Sequence, residues 1–124
     1  MSALLDTSVL VAGTTIDPAL LSTGWAVSVV TIGELEAGVL IAVDPAVRAA
    51  RLRRLTGVLA EAPVLPIDRL VAARYGELRA ATGRIPSNDL WIAATALANG
   101  FTLVTADECQ ASLPLLQASL VVSA

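Results

Sequence analysis

A mainly parallel, twisted β-sheet with helices on both faces is the architecture this sequence predicts. Two observations carry that α/β expectation. Short apolar or β-branched runs alternate along the chain with longer stretches opened by capping residues and closed by glycine. The 124 residues are 56% apolar and 15% charged, which gives one domain over 1–124 with a single core and excludes disorder. Helices on either side of the sheet make a three-layer sandwich.

Residues 2–6 are an apolar run ending in an acid, a buried strand. Asp17-Pro18 opens a short helix, with Asp17 as cap and Pro18 in the first helical position. Ala26–Thr31 is rich in β-branched residues and predicts a second strand. Thr31 and Glu34 have capping-box spacing, so a helix is expected from Thr31 to Val43. Asp44-Pro45 starts another, to about Ala60, carrying Arg48, Arg51, Arg53 and Arg54. Pro63–Ile67 is extended. Asp68 caps a helix to about Thr82, stopped at Gly83, and Ser87 caps one over Asn88–Asn99, stopped at Gly100. Phe101–Thr105 is a strand, and Leu120–Val122 a last one.

The composition excludes whole classes of chemistry. There is no histidine, so neither a Ser-His-Asp nor a Cys-His arrangement can be built. There is no lysine, since all eight basic residues are arginine, which excludes Schiff bases and a Walker-type phosphate loop. The single cysteine leaves no internal disulfide and no usual structural zinc site, and it suits a reducing cytoplasm. Carboxylates, hydroxyls, arginine and a hard cation remain.

The net charge is −3 and the pI about 4.7, so no basic footprint announces nucleic acid. Leaving aside Asp6, Glu34, Asp89 and Asp107, seven acids face eight arginines. The first residues lack a basic region before an apolar one, so no signal peptide is expected. The longest uncharged stretch, residues 90–106, is too short for a membrane span and is broken at Asn99-Gly100. The mean hydropathy of +0.75 predicts instead an apolar surface buried in an obligate interface, against a second copy in a homodimer or against a partner.

The four acids fall on one rim. Asp6 ends the first predicted strand, and Asp107 lies two residues beyond the Phe101–Thr105 strand. Glu34 and Asp89 lie in the first turns of helices, and ligands of open α/β sheets bind at this edge. Asp89 shares a helical face with Ile92, Ala93 and Ala96, where the pattern calls for an apolar side chain, while Asn88, Thr95 and Asn99 cluster on another face. Each acid alone has a plain structural reading: Asp6 as a turn-former or N-cap, Glu34 as the partner of Thr31, Asp89 as a first-turn dipole acid, and Asp107-Glu108 as solvated loop acids. Brought together they would repel, and Mg²⁺ or Mn²⁺ relieves that cost. An aspartate-nucleophile phosphotransfer or phosphatase domain is a rival reading, but it ordinarily relies on a lysine near the phosphoryl group, and this chain has none.

Four segments, in order along nearly the whole chain, resemble the motifs of PIN domains. They are Leu4-Leu5-Asp6-Thr7-Ser8-Val9-Leu10, Val29-Val30-Thr31-Ile32-Gly33-Glu34-Leu35-Glu36-Ala37-Gly38, Asn88-Asp89-Leu90-Trp91-Ile92-Ala93-Ala94-Thr95-Ala96 and Leu103-Val104-Thr105-Ala106-Asp107. The pattern is most similar to VapC-type toxins, the ribonucleases of toxin–antitoxin pairs. The resemblance implies the PIN three-layer sandwich and a metal-dependent endoribonuclease. Asp6, Glu34, Asp89 and Asp107 would be its catalytic acids, with Asp6, Asp89 and Asp107 on Mg²⁺ or Mn²⁺. Thr7, Ser8 and Thr105 would support the site or touch substrate, and Arg84, in the loop before the third motif, would contact RNA. It further implies attack by cation-activated water, leaving 5′-phosphate and 3′-hydroxyl ends, and a VapB-like antitoxin laid across the site. The apolar helices Ile32–Val43 and Ala46–Ala60 would offer walls for such a partner. One departure stands out: the family often follows its fourth acid with a further acid and a phenylalanine, where this chain has Glu108-Cys109-Gln110-Ala111. Glu108 could therefore share the role of Asp107. A catalytically inactive partner-binding module and a DNA nuclease are the alternatives.

Overall fold

Strand β1 (Ala3–Leu5) forms the centre of a five-stranded sheet in a computed structural model that describes residues 2–12 and 16–121. It is flanked by β2 (Trp25–Ser28) and β4 (Thr102–Thr105), with β3 (Val64–Leu65) and β5 (Ala118–Leu120) at the edges. Every pairing is parallel. The helices are α1 (Thr7–Val11), α2 (Pro18–Leu21), α3 (Val29–Ile41), α4 (Pro45–Glu61), α5 (Arg69–Ala81), α6 (Ser87–Asn99) and α7 (Glu108–Ala111). The expected strand over Leu120–Val122 is found two residues earlier, and Val122 lies outside the described residues.

Strand alternation divides the core into two layers. Ala3, Leu5, Val27 and Val104 point to one face, against Val9 of α1, Leu35 and Val39 of α3, and Leu55 and Val58 of α4. Leu4, Ala26 and Leu103 point to the other, against Val71 and Leu78 of α5 and Leu90, Ile92, Ala93, Ala94 and Ala96 of α6. Leu4, Leu78, Leu90, Ile92 and Leu103 are fully buried, each stabilising the fold by about 1.5–3 kcal/mol relative to exposure. The sheet is thus covered on both faces, in the three-layer arrangement the sequence predicts.

Most helix starts follow the sequence. Asp17, Asp44 and Asp68 each accept a first-turn backbone N–H. At the end of α6, Gly100 adopts φ 69°, and the Phe101 N–H reaches Ala96 O at 2.9 Å to close the helix. Three expectations are corrected. The second strand stops at Ser28, whose Oγ accepts from Val30 N at 3.1 Å, so α3 begins before Thr31 and Thr31 is not its cap. Helix α6 begins at Ser87 with no side-chain cap, because Pro86 holds the cap position and brings no hydrogen-bonding side chain. Thr95 is fully buried rather than on a polar face, and its hydroxyl is satisfied by Trp91 O at 2.8 Å.

Candidate active site

The strand order reverses direction at β1, and the sequence places acids just beyond β1 and its neighbour β4, where clefts form in such sheets. Asp6 follows β1 directly, and its N–H donates to Val104 O at 2.9 Å, joining the two strand ends. Asp6 is only 4% exposed. Its Oδ2 accepts the Ser8 N–H at 3.0 Å, capping α1, so the N-cap reading of Asp6 is correct as far as it goes. Its Oδ1 is buried with no hydrogen-bond partner. A buried polar oxygen left so costs about 1–3 kcal/mol, and it calls for a cation or a donor.

Because α3 starts early, Glu34 sits in its second turn rather than its first. Thr7 Oγ1 lies 2.7 Å from Glu34 Oε1 and 3.0 Å from Thr31 Oγ1. Thr31 therefore contributes a buried hydroxyl that helps hold Thr7 under Glu34. Asp89, half-buried in the first turn of α6, has its pKa pushed up to about 6. Burial is the largest cause, followed by the charges of Asp6, Asp107 and Glu34. The four acids thus share one electrostatic niche. Among the described residues no three acidic side chains are grouped tightly enough to hold an ion by themselves.

Asp107 caps α7: its Oδ1 accepts from Cys109 N at 2.8 Å and Gln110 N at 3.3 Å. Glu108 is exposed in the first turn of α7 and is not among the charges that act on Asp89. Thr105 and Ser8 lace the strand ends together. Ser8 Oγ accepts the Ala106 N–H at 3.0 Å, Thr105 Oγ1 accepts the Asp107 N–H at 3.0 Å, and the two hydroxyls are 3.3 Å apart. Sequence reading missed Gln110, whose buried amide contacts Thr105 and the Asp89 carbonyl; no local pattern marks an inward-facing glutamine in a four-residue helix.

Arg84 is exposed in the loop before α6. Arg79 shapes that loop by donating to Ile85 O at 3.1 Å and, at 3.4 Å, to Gly83 O. The four α4 arginines divide by role. Arg48 donates to Ala42 O and Leu40 O, and Arg51 to Gly38 O at 2.7 Å, so both satisfy carbonyls at the end of α3. Arg53 is exposed. Arg54 is half-buried, has no hydrogen-bond or ion-pair partner among the described residues, and lines a groove of about 470 Å³ with Thr7, Glu34 and Arg51.

The donor set is oxygen only: carboxylates, hydroxyls and backbone carbonyls. That set suits a hard divalent cation and no soft one. Mg²⁺ commonly binds through one or two carboxylates while keeping several waters, which fits an orphaned Asp6 Oδ1 beside acids that do not close into a cage.

The PIN domain family pattern matches residues 3–114. Over 119 residues the chain is 43% identical to ribonuclease VapC4 of Mycobacterium tuberculosis, covering 90% of this chain and 91% of that one. It is 40% identical to ribonuclease VapC5 of the same organism, covering 90% and 87%. The fold matches VapBC-5 from M. tuberculosis, a member of the VapBC family of toxin–antitoxin systems, with TM-score 0.81 and 33% identity over 98% of this chain and 99% of that one. It also matches VapBC2 from Rickettsia felis, solved bound to a promoter DNA fragment, with TM-score 0.83 and 25% identity over 98% and 99%. With motifs, fold and relatives in agreement, the chain belongs to the PIN domain family, among its VapC members.

Proposed function

We propose that the chain is a divalent-cation-dependent endoribonuclease, the toxin half of a toxin–antitoxin pair acting in the cytoplasm. The observation that carries this reading is the buried Asp6 carboxylate, one oxygen unpartnered, in a niche shared with three further acids. Identity of 40–43% to two VapC ribonucleases over most of the chain supports it.

Asp6 and Asp89 are the residues to hold Mg²⁺ or Mn²⁺, directly or through water, with Asp107 adding its free oxygen. When bound, the cation supplies Lewis acidity toward a phosphate oxygen and lowers the pKa of water. Glu34, oriented by Thr7, takes the proton of the attacking water at its free carboxylate oxygen. The new bond joins the water oxygen to phosphorus as the P–O3′ bond breaks, and the departing O3′ takes a proton from solvent. Products carry a 5′-phosphate and a 3′-hydroxyl, and no histidine is required. Arg54 lines the groove beside Glu34 and offers an unpaired guanidinium to an RNA phosphate, and Arg84, exposed in the loop before α6, is a second phosphate contact.

The partner is a VapB-like antitoxin. It covers the acidic niche and lies against apolar side chains that α3 and α4 leave outside. A homodimer buries part of the same surplus, in which Leu40, Ile41 and Val43 stand exposed, the last at 94%. No helix among the described residues is long and apolar enough to cross a membrane.

The test is cleavage of a tRNA mixture and an rRNA fragment by purified chain freed of antitoxin, in Mg²⁺, in Mn²⁺ and in EDTA. Cutting in either metal that EDTA abolishes, with 5′-phosphate ends, is expected. Cutting that persists in EDTA, or cyclic phosphate ends, overturns the mechanism.

A further inference from the structure

We infer that Gln110 is a positioning residue that withholds the Thr105 hydroxyl proton from Asp6, leaving the Asp6 carboxylate open to a cation. The inference rests on the reading of Asp6 and Asp89 as cation-holding acids. Gln110 is 1% exposed, and both ends of its amide are engaged. Its Nε2 donates to Asp89 O at 3.2 Å, which turns Oε1 toward Thr105. There Oε1 accepts from Thr105 Oγ1 at 2.7 Å.

A threonine hydroxyl has one proton and two lone pairs. Thr105 Oγ1 has two acceptors within reach, Gln110 Oε1 at 2.7 Å and Asp6 Oδ2 at 3.4 Å. The shorter contact takes the proton, since hydroxyl hydrogen bonds cluster near 2.7–2.8 Å. The lone pairs of Oγ1 then accept the Asp107 N–H at 3.0 Å and face Ser8 Oγ at 3.3 Å. Thr105 is fully satisfied without Asp6. Asp6 is left with the single Ser8 N–H on Oδ2 and nothing on Oδ1. Each proton donated to a carboxylate competes with a cation for its lone pairs, so the diversion toward Gln110 favours cation binding. The other end of the same amide holds the first turn of α6, which carries Asp89, against α7. Gln110 thus fixes both the hydrogen-bond state of Asp6 and the place of Asp89. It occupies the stretch after Asp107 where the sequence departs from the commoner family pattern.

The test uses Gln110→Met, which keeps length and volume but offers no strong acceptor, with Gln110→Leu as a second variant should the first fold poorly. In full-length, metal-free protein, the Asp6 carboxyl ¹³C resonance is expected to shift in Gln110→Met as the Thr105 hydroxyl turns to it. Mn²⁺ affinity, measured on the folded protein by paramagnetic resonance, is expected to fall about tenfold, the usual scale for losing a residue that orients a ligand. In a Thr105→Val background there is no proton to divert and only the hold on Asp89 is lost, so the same substitution is expected to lower Mn²⁺ affinity by no more than about threefold. A merely structural role for Gln110 would lower Tm while leaving the Asp6 resonance and the Mn²⁺ affinity of folded protein unchanged, and that result overturns the inference. So does an equal loss of affinity in both backgrounds. If wild-type protein binds no Mn²⁺, the cation reading fails on its own, and the metal-free resonance still decides whether Gln110 withholds the proton.

Discussion

Thr7 and Glu34 are 27 residues apart in sequence and 2.7 Å apart in space, Oγ1 to Oε1. That contact ties the helix after β1 to the helix after β2 and aims one of the four acids. Thr7→Val keeps the shape and removes the donor. RNA cleavage is expected to fall about tenfold, a fraction of the ~10²–10⁴-fold of a general base, because Thr7 orients Glu34 without being the base. Stability should drop by about 1 kcal/mol, since the site is only partly buried. Single-turnover rates and a urea titration on the same preparation check both; unchanged cleavage would detach Glu34 from the chemistry.

Asp6→Asn separates function from folding. Asparagine still caps α1 through its oxygen, and it removes a buried charge with an orphaned oxygen. Without metal, the variant is expected to melt at or above the wild-type temperature. A clear loss of Tm would mean that the carboxylate is stabilising in the free protein, contrary to its surroundings.

Asp89 sets a pH dependence whose direction is fixed by its environment. Its pKa is about 6 in the fold against 3.8 as a model group, so the folded state holds this proton more tightly. The stabilising contribution is complete below about pH 4 and is lost as pH rises through 6. Asp89→Asn should flatten this part of the metal-free stability curve and raise Tm at pH 7.5 relative to wild type. Mn²⁺ affinity of the wild type should decline as pH falls below 6, because proton and cation compete for the same oxygens. Thermal melts from pH 4 to 8, with and without Mn²⁺, test both statements. A metal-free wild-type curve parallel to that of Asp89→Asn contradicts them.

Arg54→Gln should raise KM several-fold with little change in kcat, since a backbone phosphate contact positions substrate without entering the reaction. The salt dependence of RNA binding should weaken by about 0.7 in the log–log slope, the value for one contact to a single strand. Arg48→Gln, by contrast, removes a staple on the end of α3 and should appear in stability rather than in the slope.

The four acids and most helix starts were legible because the chemistry is local. Asp17-Pro18 and Asp44-Pro45 state a cap and a first turn in two residues, and Gly100 states a stop. The strand–helix joint at Ser28 was not. A β-branched run continues through Thr31 on both sides of it, and two hydroxyls three residues apart compete for the cap. Tertiary packing decided for Ser28 by burying Thr31 beneath Thr7. Helices α1 and α7 have five and four residues, too few to display a 3.6-residue period, so Asp6 and Asp107 gave no sign of how their cap bonds divide their oxygens. Gln110 was invisible for a related reason: its partners are Thr105 and the backbone of Asp89, and the second becomes its neighbour only once α6 packs against α7.

The most direct test is the cleavage rate of Asp6→Asn beside wild type, on one RNA in Mn²⁺, with melting temperature measured on the same samples. The account predicts a variant that melts no lower than wild type without metal and cuts at least 100-fold more slowly, on the order of losing a group that organises the reacting centre. A folded variant that cuts within a few-fold of wild type would contradict it, because the niche around Asp6 would then not be where RNA is cleaved.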